Sequence, residues 1–318
     1  MSPRNDSSSW RALYICSAAR CGSTFADMFI GGHSQAASLG EVNFLGKAIA
    51  LQEKCSCGAD IFECPNWSCV YDELREIASY DVRSQPYAFR LWDALAYKAI
   101  DHRKQTHSYK LAVSLRKAWL EARYRSGGML PLLPAQIKAL RNKALLYESV
   151  AHQRNKNLII DSSKNAREAV ELNKLMPGRV KVLVITRDGR GVFSSRRNSQ
   201  VSQRQSLSGW MNYYCRALPL LEKNVHDGDL LVLRYEDLAA NPMLVGEKLC
   251  DFSGIEFESS MLDLGSVERH LVNGNDTRFS AGKGIQLDER WKTELSGNDL
   301  CFFDEFGGKE LNRRLGYT

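Results

Sequence analysis

Residues 13–32 read LYICSAARCGSTFADMFIGG, and their reading decides the fold. Leu13 to Cys16 is a short apolar run of the kind that forms a buried strand. A loop of small residues follows, and Phe25, Met28 and Phe29 then recur at helical spacing until Gly31-Gly32 stops the helix. A strand feeding a helix in this way leaves the first backbone N–H groups of the helix unpaired, at the positive end of its dipole. Gly22 allows close backbone approach to an oxyanion, Ser23 and Thr24 add hydroxyls, and Arg20 adds a planar fork of donors. The same residue types also make a plain strand–helix turn, and a short glycine motif does not decide between the two. The stretch lacks the Gly-Lys-Ser/Thr ending that serves a magnesium-bound triphosphate.

The rest of the chain repeats the pattern. Asn157 to Asp161 (NLIID) is a second expected strand, followed by a helix through Ala166, Val170 and Leu175 that Pro177-Gly178 ends. Val180 to Thr186 (VKVLVIT) is rich in β-branched residues and apolar nearly throughout, and Leu230 to Arg234 (LLVLR) is a fourth strand. Strands separated by helices imply a parallel sheet with helices on both faces. Helical patterns over Tyr87–Asp101 and Pro134–Asn155 mark an insertion, about residues 70–155, within one α/β domain spanning 10–318. Residues 1–9 read as a frayed polar tail without the apolar core of a signal sequence.

Composition sets outer bounds. A net charge of +6 suits an anionic ligand but is too small and dispersed to argue for nucleic acid. No window has the apolar length of a membrane span, and nine cysteines form an odd set without a secretory signal. These features favour a cytoplasmic protein whose cysteines are not a disulfide framework.

Two further segments after strands carry cations and hydroxyls. Arg187 ends the VKVLVIT strand in TRDGRGVFSSRRN, and Ser195 follows eight residues later, in a helix expected to start near Gly189 to Gly191. That spacing lets a guanidinium and a hydroxyl converge on one phosphate beyond the carboxyl end of the strand. DSSKNAR (161–167) follows the second strand and places Lys164 and Arg167 on one helical face if a helix begins near Ser163. Two separate anion features suit a ligand phosphorylated at both ends. The plain alternatives are a surface Arg–Asp pair and serine-capped helices.

Together these residues resemble the sulfotransferase family, which uses 3′-phosphoadenosine 5′-phosphosulfate as donor. Residues 20–25 (Arg20, Cys21, Gly22, Ser23, Thr24 and Phe25) are similar to the family's 5′-phosphosulfate loop, with Cys21 where Ser or Thr is usual. Arg187 and Ser195 are similar to its 3′-phosphate motif, with Gly189 where Pro is common, a change expected to loosen the turn. DSSK resembles the bacterial and carbohydrate-type members. HLVNGNDTRFSAGKGIQLDERW (270–291) resembles their closing segment, with Arg278 and Lys283 as donor contacts. The resemblance implies a P-loop-like parallel sheet and transfer of a sulfuryl group to a hydroxyl, on a carbohydrate or glycolipid acceptor, with no metal needed for the transfer. It also implies Glu41 as the base and Lys164 as the cation at the leaving bridge oxygen. The competing reading of Glu41 is a helix-start carboxylate, and His33 is a second, weaker base candidate.

A P-loop small-molecule kinase and a catalytically silent nucleotide-binding module remain alternatives. The kinase would need magnesium ligands and a triphosphate loop. KCSCGADIFECPNWSCV holds Cys55, Cys57, Cys64 and Cys69 at a spacing that departs from paired Cys-x-x-Cys. The expectation is buried free cysteines packed with Trp67, rather than a metal site. Oligomeric state and acceptor identity are not legible.

Overall fold

The computed structural model describes residues 10–91, 107–126, 128–197, 202–265, 267–279 and 284–318. Lys283 and residues 92–101 of the helix expected over Tyr87–Asp101 lie outside them, and residues 87–91 form turns rather than helix.

Five parallel strands form the sheet: β1 (Arg11–Cys16), β2 (Ala36–Gly40), β3 (Leu158–Asp161), β4 (Val180–Thr186) and β5 (Leu230–Arg234), in the order β2-β3-β1-β4-β5. Central β1 pairs with β3 and β4, as two-sided burial of its apolar run requires. Alternation sets its faces. Leu13 and Ile15 join one core cluster with Ile160, Leu183, Ile185 and Phe29, whereas Tyr14 and Cys16 join the other with Ile159, Val182, Val184 and Trp210.

Helix α1 (Ser23–Ile30) leads from β1 toward β2. The short α2 (Leu45–Ala50) and α3 (Pro65–Ala78) precede the longer α4 (His107–Arg125) and α5 (Pro134–Arg154), all between β2 and β3. Helix α6 (Ala166–Leu175) follows β3, α7 (Gly189–Arg197) follows β4, and α8 (Gln203–Asn224) leads on to β5.

Four of the five strands follow the sequence reading; β2 does not. Its residues, AASLG, include none of the β-branched or aromatic types that mark strands. Small side chains are what the site needs, because α1 lies directly on this strand. Ser38 Oγ donates to the Asp27 carbonyl at 3.0 Å, and a Cβ on Gly31 would overlap Ser38 Oγ. Buried Asp27 joins three elements at this point. Its Oδ2 accepts from Gly40 N–H at 3.2 Å and from Ser162 Oγ at 2.6 Å, and burial pushes its carboxyl up to about 7.

Two local corrections follow. Helix α6 starts at Ala166 and is capped by Asn165, whose Oδ1 accepts from the N–H groups of Arg167 and Glu168, so neither Ser162 nor Ser163 is the cap. Arg167 then pairs with Glu121 on α4 instead of sharing a face with Lys164. Gly189 is closely packed and its N–H is held. A Cβ there would lie 2.6 Å from the Trp210 ring, and Gly189 N–H is fixed by Asn312 Oδ1 at 2.8 Å.

Candidate active site

The residues just beyond the carboxyl ends of all five strands meet in one cleft of about 1030 Å³. Arg20 follows β1, Glu41 follows β2, Lys164 follows β3, Arg187 follows β4 and Tyr235 follows β5. This is the edge at which an open parallel sheet exposes its loops and helix N-termini to a ligand.

After β1 the chain turns through Arg20 at φ 70° and Gly22 at φ 90° before entering α1. Gly22 is required twice, by its positive φ and because a Cβ would sit 2.6 Å from the Tyr235 ring. Arg20, Gly22, Ser23, Thr24 and Phe25 line the cleft. Cys21 does not. Its side chain is fully buried beneath the loop, and burial pushes the thiol up to about 12, so this position can offer a ligand only its backbone.

Arg187 is almost fully buried at the end of β4. It donates to the Arg20 carbonyl at 3.0 Å, lies over the Tyr235 ring at 4.8 Å, and pairs with Asp288 Oδ2 at 3.0 Å. Asp288 is gripped bidentately by Arg290 as well. Arg290 first and Arg187 second hold its carboxyl well below the usual carboxylate range. Ser195, in the second turn of α7, lines the same wall. Tyr235 is the post of that wall: Phe25 packs edge-on against it at 5.8 Å, its hydroxyl donates to the Gln286 carbonyl, and Asp288 N–H donates to that hydroxyl.

On the opposite side Lys164, at φ 67°, places Nζ 2.6 Å from Glu41 Oε1. A buried network sits beneath this pair. Fully buried Lys143, on α5, donates to Asp161 Oδ2 at 2.8 Å and to Asn43 Oδ1 at 2.7 Å, and lies 3.0 Å from Glu168 Oε1. Tyr147 and Tyr14 donate to Asp161 and Glu168 at 2.6 and 2.7 Å. Asn43 N–H donates to Ser163 Oγ at 3.2 Å, which ties the segment after Glu41 to the segment before Lys164.

Two expected positions fall elsewhere. Arg278 does not line the cleft; its Nη2 reaches the Lys54 carbonyl at 3.4 Å. His33 is buried at the other end of β2, with Nε2 2.7 Å from the Glu256 carbonyl. Tyr235, Asn275, Asp288 and Arg290 were not singled out from sequence, although YEDL directly follows a clear strand and so had to open on the same rim. The cysteine segment is also rearranged. Cys55, Cys57 and Cys64 gather with His270, whereas Cys69 is exposed on α3.

Residues 74–259, more than half of the chain, match the sulfotransferase family. The chain therefore belongs to that family and is a sulfotransferase enzyme. The matched span holds Lys164, Arg187 and Ser195, and leaves the 20–25 loop and Glu41 outside it. Among solved structures it is similar to the sulfotransferase domain from the curacin biosynthetic pathway (TM-score 0.54, 18% identity, covering 97% of this chain and 98% of that one). It is also similar to the sulfotransferase domain of the Synechococcus PCC 7002 olefin synthase (TM-score 0.52, 18% identity, covering 96% of each). No curated protein sequence matches it. Among the described residues no helix is long and apolar enough to cross a membrane.

Proposed function

We propose that the cleft transfers a sulfuryl group from 3′-phosphoadenosine 5′-phosphosulfate to an acceptor hydroxyl, with a carbohydrate or glycolipid as acceptor and the cytoplasm as the site of reaction. The observation that carries this reading is the convergence of all five post-strand positions on one cleft, with cations from three of them and a carboxylate from a fourth. A donor phosphorylated at both ends needs separate grips. The N-terminus of α1 with Arg20, Ser23 and Thr24 serves the 5′ end, and Arg187 with Ser195 serves the 3′-phosphate.

Glu41 takes the proton of the acceptor hydroxyl as its oxygen bonds to sulfur. The bond from sulfur to the bridge oxygen of the donor breaks, and Lys164 stabilises the negative charge left on that oxygen. The products are a sulfate ester and adenosine 3′,5′-bisphosphate. The 2.6 Å contact of Lys164 with Glu41 supports these roles, because it sets the cation for the leaving oxygen beside the carboxylate for the proton. The preference for a sugar-type acceptor rests on the similarity of the Arg20 loop and Glu41 to carbohydrate-type members.

The test is consumption of labelled donor by the purified chain against sugar, lipid and phenol acceptors, without added magnesium. Sulfation of a sugar or glycolipid supports the reading. Sulfation of phenols alone overturns the acceptor class, and absence of binding by adenosine 3′,5′-bisphosphate in calorimetry overturns the donor.

A further inference from the structure

Outside the cleft, the chemically most distinctive cluster is Cys55, Cys57, Cys64 and His270, whose ligand atoms all lie within 4.8 Å of one another. Cys57 Sγ is 3.7 Å from Cys64 Sγ, and His270 Nδ1 is 3.3 Å from Cys64 Sγ and 3.8 Å from Cys55 Sγ. Zinc–sulfur and zinc–nitrogen bond lengths put the edges of a tetrahedral site at about 3.8 Å between sulfurs and about 3.5 Å from sulfur to nitrogen. The three measured separations match those edges to within about 0.3 Å, and all the ligand atoms lie within 4.8 Å of one another. All the cysteines are free thiols, and Cys55 and Cys64 are fully buried.

The surroundings are built for such a centre. His270 arrives on a segment more than two hundred residues away in sequence, and its backbone is fixed from both sides. Trp67 Nε1 donates to the His270 carbonyl at 2.9 Å, and Leu271 N–H donates to Ser56 Oγ at 2.8 Å. Its other ring nitrogen, Nε2, lies 3.7 Å from Glu268 Oε2, beyond hydrogen-bond range but near enough for electrostatic attraction. Three thiolates and one zinc ion carry a net charge of minus one. A cation stands nearby: the Arg154 guanidinium stacks at 4.9 Å over the ring of Trp67, the residue that also holds the His270 carbonyl. Arg154 Nε and Nη2 are buried without a hydrogen-bond partner among the described residues, an arrangement that a negatively charged neighbour stabilises.

We propose that Cys55, Cys57, Cys64 and His270 bind one structural zinc ion, which clasps the 55–64 turn to the segment carrying His270. Four protein ligands leave no open position, so the site is structural rather than catalytic. The clasp bears on the cleft through Val272, two residues beyond His270. Its carbonyl accepts Glu41 N–H at 2.8 Å, and its N–H donates to the Leu39 carbonyl at 2.8 Å. Zinc therefore holds in place the segment against which Glu41 is set; this consequence rests on the functional reading above, whereas the metal site does not.

The experiment is a metal count by plasma mass spectrometry on the full chain, purified without chelator from zinc-supplemented culture. It is joined by cobalt exchange and by the Cys57→Ser and Cys69→Ser variants. One zinc per chain in the wild type and in Cys69→Ser supports the site, as does a thiolate-to-cobalt charge-transfer band with tetrahedral d–d intensity. Cys57 is the partly exposed ligand, and its replacement weakens zinc retention against a chromophoric chelator at least about 100-fold. If Cys57→Ser fails to fold, the wild-type count and the cobalt spectrum decide alone. A folded wild type with substoichiometric zinc and rapidly reacting thiols overturns the proposal. So does a mass two hydrogens short, iron in place of zinc, or loss of zinc from Cys69→Ser. None of these readouts depends on sulfuryl transfer, so a failed metal site and a failed functional reading are separable.

Discussion

Replacing Lys143 with methionine tests whether the network beneath the cleft positions the Glu41–Lys164 pair. Lys143 is fully buried between two carboxylates, with Nζ 2.8 Å from Asp161 and 3.0 Å from Glu168, and it lies within 6 Å of the Tyr14 and Tyr147 rings. Methionine fills much of the same volume but leaves both carboxylates without their cation. Removing one partner from a buried ion pair costs about 3–5 kcal/mol. In a chain of 318 residues that lowers Tm by roughly 4–8 °C. The sign of the pH dependence is fixed. Burial already raises the Glu168 carboxyl, and Lys143 is the main influence holding it down. In the variant a carboxyl of the pair carries a folded pKa well above its unfolded value. Stability is then lost as pH rises through that value, so the deficit is larger at pH 8 than at pH 5. Asn43 and Ser163, which this network anchors, flank Glu41 and Lys164, so kcat falls about 10- to 100-fold while donor affinity holds. Urea denaturation at both pH values and calorimetry with adenosine 3′,5′-bisphosphate check this. A variant within about 0.5 kcal/mol of wild type with unchanged kcat refutes the reasoning.

Glu41→Gln lowers turnover about 100-fold or more and leaves donor affinity within a few-fold; a large loss of donor binding in calorimetry makes Glu41 a structural residue instead. Arg187→Ala weakens adenosine 3′,5′-bisphosphate binding by about 2–5 kcal/mol, and an unchanged Kd removes Arg187 from the site. Gly22→Ala forces a Cβ onto the Tyr235 ring at a φ of 90°, so donor binding is lost and Tm falls; wild-type values for both contradict the loop geometry. Asp27 has a carboxyl raised from 3.8 to about 7, so the folded state holds its proton where the unfolded chain has released it. That contribution is full below about pH 4 and lost as pH rises through about 7, up to about 4 kcal/mol in all. Asp27→Asn removes this slope, and parallel pH–stability curves for the two proteins exclude it.

What the sequence made legible was local. A strand such as VKVLVIT announces itself by its β-branched residues, and the rule that ligands bind beyond strand ends placed Arg20, Lys164 and Arg187 on one rim before any geometry was known. The misses share a cause, which is dependence on partners distant in sequence. AASLG becomes a strand by pairing with β3, and α1 requires a small side chain at Ser38, facts about several elements rather than one. Cys21 keeps the loop's backbone while turning its thiol inward, and no single-residue pattern separates those outcomes.

The cysteine segment shows the same limit most sharply. Spacing rules for metal sites assume that ligands come in pairs close in sequence, and CSCGADIFEC supplies only three. The fourth ligand is a histidine 206 positions beyond Cys64, and nothing in its local sequence marks it. It becomes a ligand because Val272 bridges to Gly40 at the edge of β2, the strand that was itself illegible. Without β2 there is no edge for Val272 to join, and the His270 segment would be held to the cysteine turn by Ser56 and Trp67 alone. The position of Glu41 depends on the same strand, since Glu41 is the residue that follows it. Recognising AASLG as a strand is thus the step that links the carboxylate of the cleft to the thiols beside it.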